Sequence, residues 1–125
     1  MDLRILVVED SEIARRMIRS ILQTRDWEIC GEAENGLVGV REFERLRPDV
    51  VVLDLTMPGI SGIEAACRMS GLDPRVPLIL FTLCDLGELQ GAARDAGICV
   101  TVSKDHALDL IGAIETAVEM RGGRK

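Results

Sequence analysis

Five short runs of aliphatic and β-branched residues alternate along this chain with longer stretches whose apolar residues recur every three or four positions. No other feature limits its fold as much. A parallel strand can pair with the next only after a long crossover, and in a compact domain that crossover is usually a helix packed on the sheet. The runs are Arg4–Val8, Glu28–Ala33, Val50–Leu53, Leu78–Phe81 and Cys99–Val102. The first, third and fourth are apolar on both faces, which predicts central strands covered on two sides. The expected fold is α/β, a five-stranded parallel sheet doubly wound in (βα)5 order. A chain of 125 residues accommodates one such domain, here residues 1–125.

The intervening segments read as helices with unequal clarity. Ala14, Met17, Ile18, Ile21 and Leu22 form one apolar face, with Arg15, Arg16 and Arg19 opposite. Asn35-Gly36 opens a second helix that Arg47-Pro48 ends after about Leu46. Ser61 and Glu64 have capping-box spacing and start a third. The fourth, about Leu86 to Ala96, contains Gly87 and Gly91 and little apolar surface beyond alanine, so it is expected to be the most mobile. Leu110, Ile111, Ile114, Ala117 and Val118 define the last, after which the terminal Arg-Gly-Gly-Arg-Lys is expected to fray.

Composition removes several classes of function. The 21 acidic residues outnumber the 15 basic ones, and a net charge of -6 repels nucleic acid. With Trp27, Phe43 and Phe81 as the aromatic residues, no base-stacking surface is expected. The apolar runs are too short to span a bilayer, and the N-terminus turns acidic where a signal peptide would stay apolar, so a cytoplasmic location is expected. Cys30, Cys67, Cys84 and Cys99 are scattered, with only His106 to join them in a metal site. They are expected to be small, reduced core residues.

In a doubly wound sheet, ligands lie beyond the carboxyl ends of the strands. Five polar positions converge there. Glu9 and Asp10 follow the first run, Asp54 ends the third, Thr82 ends the fourth and Lys104 follows the fifth. Three gathered carboxylates repel one another unless they are protonated or joined by a cation. An all-oxygen set with few protein ligands suits Mg²⁺. With repulsion offset, Asp54 can attack phosphorus as a carboxylate nucleophile, while Lys104 and Thr82 stabilise the phosphoryl oxygens.

The strings ILVVEDS, VVLDLTMPGISG, LILFT and VSKD, in that order and spacing, resemble the receiver domain of two-component response regulators from Leu3 to about Met120. Asp54, Met57, Pro58 and Gly62 fit its D-x-x-M-P-x-x-x-G pattern. The resemblance implies a flavodoxin-like, CheY-like three-layer sandwich, with Glu9, Asp10, Asp54 and the backbone carbonyl of Thr56 holding Mg²⁺. It further implies that Asp54 accepts a phosphoryl group from a sensor histidine kinase or phosphotransfer protein, with Thr82 and Lys104 contacting that group. Such a receiver is a regulatory switch rather than an enzyme. It signals through its fourth helix, fifth strand and fifth helix to an output protein or a C-terminal output domain, and a homodimer on phosphorylation is compatible with the family. Lys104-Asp105 in particular looks like receivers of LuxR/NarL-type transcription factors.

Three residues depart from the pattern. Thr101 stands where an aromatic switch residue is usual, Asp105 where proline often follows the lysine, and Leu83 where alanine or glycine is common. The first removes the familiar coupling of threonine movement to an aromatic rotamer, and the last is expected to restrict access to the acyl phosphate. A phosphorylation-independent interaction module of the same shape is the alternative reading. A haloacid-dehalogenase-like phosphatase would need aspartate at Thr56, and a nucleotide-binding enzyme would need a glycine-rich loop where Glu9-Asp10 stands.

Overall fold

In the computed structural model, which describes residues 2–121, β1 (Arg4–Val8), β2 (Glu28–Ala33), β3 (Val50–Leu53), β4 (Leu78–Thr82) and β5 (Ile98–Ser103) form one sheet. Every pairing is parallel, and the order is β2-β1-β3-β4-β5. The three runs that are apolar on both faces occupy the centre, as expected. β4 runs one residue past its expected end, through Thr82, and β5 is one residue longer at each end, where Ile98 pairs with Leu78 and Ser103 with Thr82.

Alternation within each strand distributes its side chains to two cores. Leu6 and Val8 face α2 (Gly36–Leu46), α3 (Gly62–Leu72) and α4 (Gln90–Asp95), packing with Phe43, Ala65, Met69 and Ala93. Ile5 and Val7 face α1 (Glu12–Leu22) and α5 (Asp109–Met120), packing with Ile18, Leu22, Leu110 and Ile114. Full burial of each such aliphatic side chain contributes roughly 1.5–3 kcal/mol relative to exposure. The strand order reverses between β1 and β3, which opens a crevice at their carboxyl ends.

Local signals set the helix ends. The side chains of Ser11, Asn35 and Ser61 accept hydrogen bonds from the backbone amides of Ala14, Val38 and Glu64. The capping box at α3 is only half made, since Glu64 pairs with Arg68 at 2.8 Å. Arg47 ends α2 in a left-handed conformation (φ 50°), and the Arg4 guanidinium binds the carbonyls of Leu46 and Arg47 at 2.7 and 3.1 Å.

Two expectations need correction. The fourth helix is shorter than Leu86–Ala96: a 3₁₀ turn at Gly87–Leu89 precedes the six-residue α4. Gly87 has φ +50°, outside the helical region, and no side chain caps α4. The cysteines are free as expected, but none is fully buried: Cys67 and Cys84 are exposed, Cys30 is half-buried, and half-buried Cys99 packs against the edge of one core. Alanine and aliphatic residues take the core positions instead. The fraying expected of the last residues concerns mainly residues 122–125, which lie outside the described residues. Among those described, no helix is long and apolar enough to cross a membrane.

Candidate functional site

Asp54 follows directly on β3, where continuous burial of Val50–Leu53 carries the chain into the crevice. Its side chain is itself buried, an unfavourable position for an unpaired carboxylate. Two contacts relieve it: Oδ1 accepts the Leu55 amide at 2.8 Å, and Oδ2 lies 3.3 Å from Lys104 Nζ. The backbone is fixed as well, since the Asp54 amide donates to the Val8 carbonyl at 3.0 Å and the Gly62 amide to the Leu55 carbonyl at 2.7 Å. A β-carbon at Gly62 would collide with the Asp54 carbonyl oxygen, so only glycine permits this approach.

Glu9 leaves β1 beside it and is almost completely buried. Its Oε2 accepts the Ser11 amide at 3.1 Å, while Oε1 lies 2.8 Å from Lys104 Nζ. That close approach makes the Lys104 ammonium the partner of Oε1, so both Glu9 oxygens are engaged. Burial pushes the Glu9 carboxyl above its ordinary value; Lys104 and the Ser11 amide oppose the shift and Asp54 adds to it. For Lys104, burial acts to depress the ammonium, but Glu9 and Asp54 together hold its pKa above the ordinary value.

Asp10 is exposed next to Glu9. One carboxylate oxygen from each of Glu9, Asp10 and Asp54 lies within 4.8 Å of the others. Thr56 is exposed in the loop after β3, its hydroxyl 3.9 Å from Cys84 Sγ. Thr82 is buried at the end of β4, and its Oγ1 accepts the Cys84 amide at 3.2 Å, so the hydroxyl proton can be donated elsewhere. The sequence's candidates therefore collect at the carboxyl edge of the sheet, with Lys104 touching both buried carboxylates.

Against protein-family models, residues 5–115 match the response regulator receiver domain. The chain belongs to the response regulator receiver family. As a receiver it is 38% identical over 94 residues to the chemotaxis protein CheY of Listeria monocytogenes, covering 75% of this chain and 76% of that protein. It is also 38% identical over 118 residues to the transcriptional regulatory protein PdtaR of Mycobacterium tuberculosis, covering 92% of this chain but 56% of that protein. A solved LuxR-family two-component response regulator from Aurantimonas sp. SI85-9A1 superposes with a TM-score of 0.90 at 30% identity, covering 97% of this chain and 88% of that chain. The receiver thus has the flavodoxin-like CheY fold, with relatives among transcriptional regulators.

The departures of this receiver from its family have visible settings. Thr101 is exposed on β5 and, with Leu83, lines a groove of about 600 Å³ between β5 and α4. The Asp105 amide donates to Ser103 Oγ at 3.1 Å and starts a 3₁₀ turn, and no peptide among the described residues is cis.

Sequence reasoning missed Arg15. Its position on α1 opposite the apolar face suggested solvent, yet only 15% of its side chain is exposed, because it turns toward Glu32 on β2. An acidic residue on the neighbouring strand facing an Arg15/Arg19 pair was the available signal.

Proposed function

We propose that this receiver, residues 1–125 as a single domain, is the phosphoacceptor of a two-component phosphorelay and is phosphorylated on Asp54. The observation that carries the reading is the buried Asp54 carboxylate bridged to buried Glu9 by one ammonium, with Asp10 in reach of both. The donor set fits a hard cation: three carboxylates supply only oxygen, their ligand atoms lie within 4.8 Å of one another, and a single ammonium is all that offsets the two buried ones. Glu9, Asp10, Asp54 and the Thr56 carbonyl would hold Mg²⁺. When bound, Mg²⁺ would neutralise the carboxylates and charge on the phosphoryl oxygens.

The residues of the chain divide the remaining work. An Asp54 oxygen attacks the phosphorus of a phosphohistidine on a sensor histidine kinase or phosphotransfer protein. The P–O bond forms as the P–N bond breaks, and the imidazole leaves with the bonding pair and takes up a proton. Lys104, already 3.3 Å from Asp54, offsets charge on the acyl phosphate, and the Thr82 hydroxyl donates to it. The receiver is a regulatory switch acting in the cytoplasm on an output protein or a C-terminal output domain, and homodimerisation on phosphorylation is one such output. The exposed Thr101, which cannot act as an aromatic switch, is what favours the second reading, a module that binds partners without phosphorylation.

Binding of beryllium fluoride, a phosphoryl mimic, tests the first reading. It should require both Mg²⁺ and the Asp54 carboxylate; binding retained by Asp54→Ala would reject the assignment.

A further inference from the structure

We propose that Arg15 is a positioning residue for the acidic pair Glu9 and Asp10, fixing the peptide between them and thereby the geometry in which they meet a cation. The proposal rests on reading Glu9, Asp10 and Asp54 as a cation site. Arg15 Nη1 donates to the Glu9 carbonyl oxygen at 2.6 Å. Its Nε lies 3.4 Å from Oε1 of Glu32, whose Oε2 is 3.3 Å from Arg19 Nε. The guanidinium is therefore held from two directions, on a side chain mostly withdrawn from water.

The other side of the same residue is also fixed, by the Glu9 amide donating to the Ala33 carbonyl at 2.8 Å. Asp10, one peptide further, makes no side-chain hydrogen bond or ion pair with the described residues. Its direction is set by its backbone, and that backbone begins at the carbonyl Arg15 holds. A charged donor makes this bond stronger than an amide would. Glu32 ties the arrangement to β2, so strand pairing and the acidic loop are fastened by one side chain.

Charge alone would act the other way. Two guanidinium groups share the single carboxylate of Glu32, leaving net positive charge near a site meant for a cation. If Arg15 acted only through its charge, removing it would tighten cation binding; if it positions the peptide, removing it weakens binding. The sign separates the two.

Isothermal titration with MgCl₂ of the wild-type chain, Arg15→Met, Arg15→Lys and Arg16→Ala, at low and high salt, reads that sign. Arg15→Met should weaken Mg²⁺ binding about tenfold at both salts, the loss typical when a group supporting a ligand is removed. Arg15→Lys should fall between, since an ammonium has no rigid fork to span both acceptors, and Arg16→Ala should match wild type. In the metal-free proteins, amide exchange at Glu9 and Ser11, whose amides are hydrogen-bonded, should quicken in Arg15→Met while the central strands stay protected. Equal or tighter Mg²⁺ binding by Arg15→Met overturns the proposal. If Arg15→Met does not fold, Arg15→Lys decides it, with wild-type affinity as the contrary result. If wild type itself binds no Mg²⁺, the cation-site reading fails, and unchanged exchange at Glu9 and Ser11 would separately defeat the positioning role.

Discussion

The Lys104 ammonium lies 3.3 Å from Oδ2 of Asp54, joining residues 50 positions apart in sequence. The same nitrogen is 2.8 Å from Glu9, so one lysine balances two buried carboxylates. Lys104→Met should therefore destabilise the metal-free chain by about 1–3 kcal/mol, less than for a fully buried pair because the site opens to water. Saturating Mg²⁺ should recover more stability in this variant than in wild type, a competing cation having been removed. Urea unfolding with and without Mg²⁺ measures both effects. No loss of metal-free stability would mean that the lysine does not offset the carboxylates.

Glu9 provides a pH test. It ionises near 4.5 when unfolded and higher when folded, chiefly through burial. Its contribution to stability is then fully present below about 4.5 and is lost as pH rises through the folded value. Glu9→Gln cannot ionise, so in chelator its stability relative to wild type should improve as pH rises above that point. Denaturation midpoints across the acidic to neutral range report the difference. Parallel curves for the two proteins would contradict the burial of an ionised Glu9.

Gly62 and Gly91 should respond oppositely to alanine. At Gly62 the new methyl meets the backbone of Asp54 and Leu55, which cannot yield as a side chain can. A loss of about 3 kcal/mol is expected, the upper end for overpacking, with impaired chemistry at Asp54. At Gly91, in α4, nothing lies within 4 Å of the added carbon. There the better helix propensity of alanine should stabilise the chain by roughly 0.5–1 kcal/mol. Chemical denaturation of the two variants checks the contrast, and similar losses at both sites would undermine the close approach at Gly62.

Much of this is legible in the sequence. Strand burial on two faces marked Val50–Leu53 as central, and the acidic and basic residues ending the strands converge because parallel strands place all their carboxyl ends on one edge. Side-chain partners were less legible. Arg15 sat on the polar face of its helix, and only the register placing Glu32 opposite Val7 brought that glutamate beside it. The cysteines misled because burial tendency is a property of the residue type, whereas Cys67 and Cys84 fall on exposed helix and loop positions. In the fourth helix, weak alanine-rich periodicity could not reveal that Gly87 leaves the helical region and delays α4 to Gln90.

The segment around α4 is also where a phosphoryl signal is expected to emerge. Gly91 lowers the stability of α4 by about 1 kcal/mol relative to alanine and Gly87 breaks the helix before it, so a small pull on Thr82 can redistribute the segment between two packings without an aromatic rotamer. The groove beside Thr101 gives Leu83 and α4 room to move. Hydrogen exchange with Mg²⁺ and beryllium fluoride should change at residues 83 to 103 more than in α1 or α2. A change confined to the loops around Asp54 would leave the site intact but exclude this route.

The central claim is that Asp54 is the acceptor, and covalent labelling reads it directly. The chain is incubated with a small acyl phosphate donor, with Mg²⁺ or with chelator, and intact mass is followed by peptide mapping. One phosphoryl group is expected, on Asp54, only when Mg²⁺ is present, and none on Asp54→Asn, which keeps the shape of the side chain but not its nucleophile. Labelling that persists in Asp54→Asn, or wild-type protein that stays unmodified with Mg²⁺ and excess donor, would contradict the account.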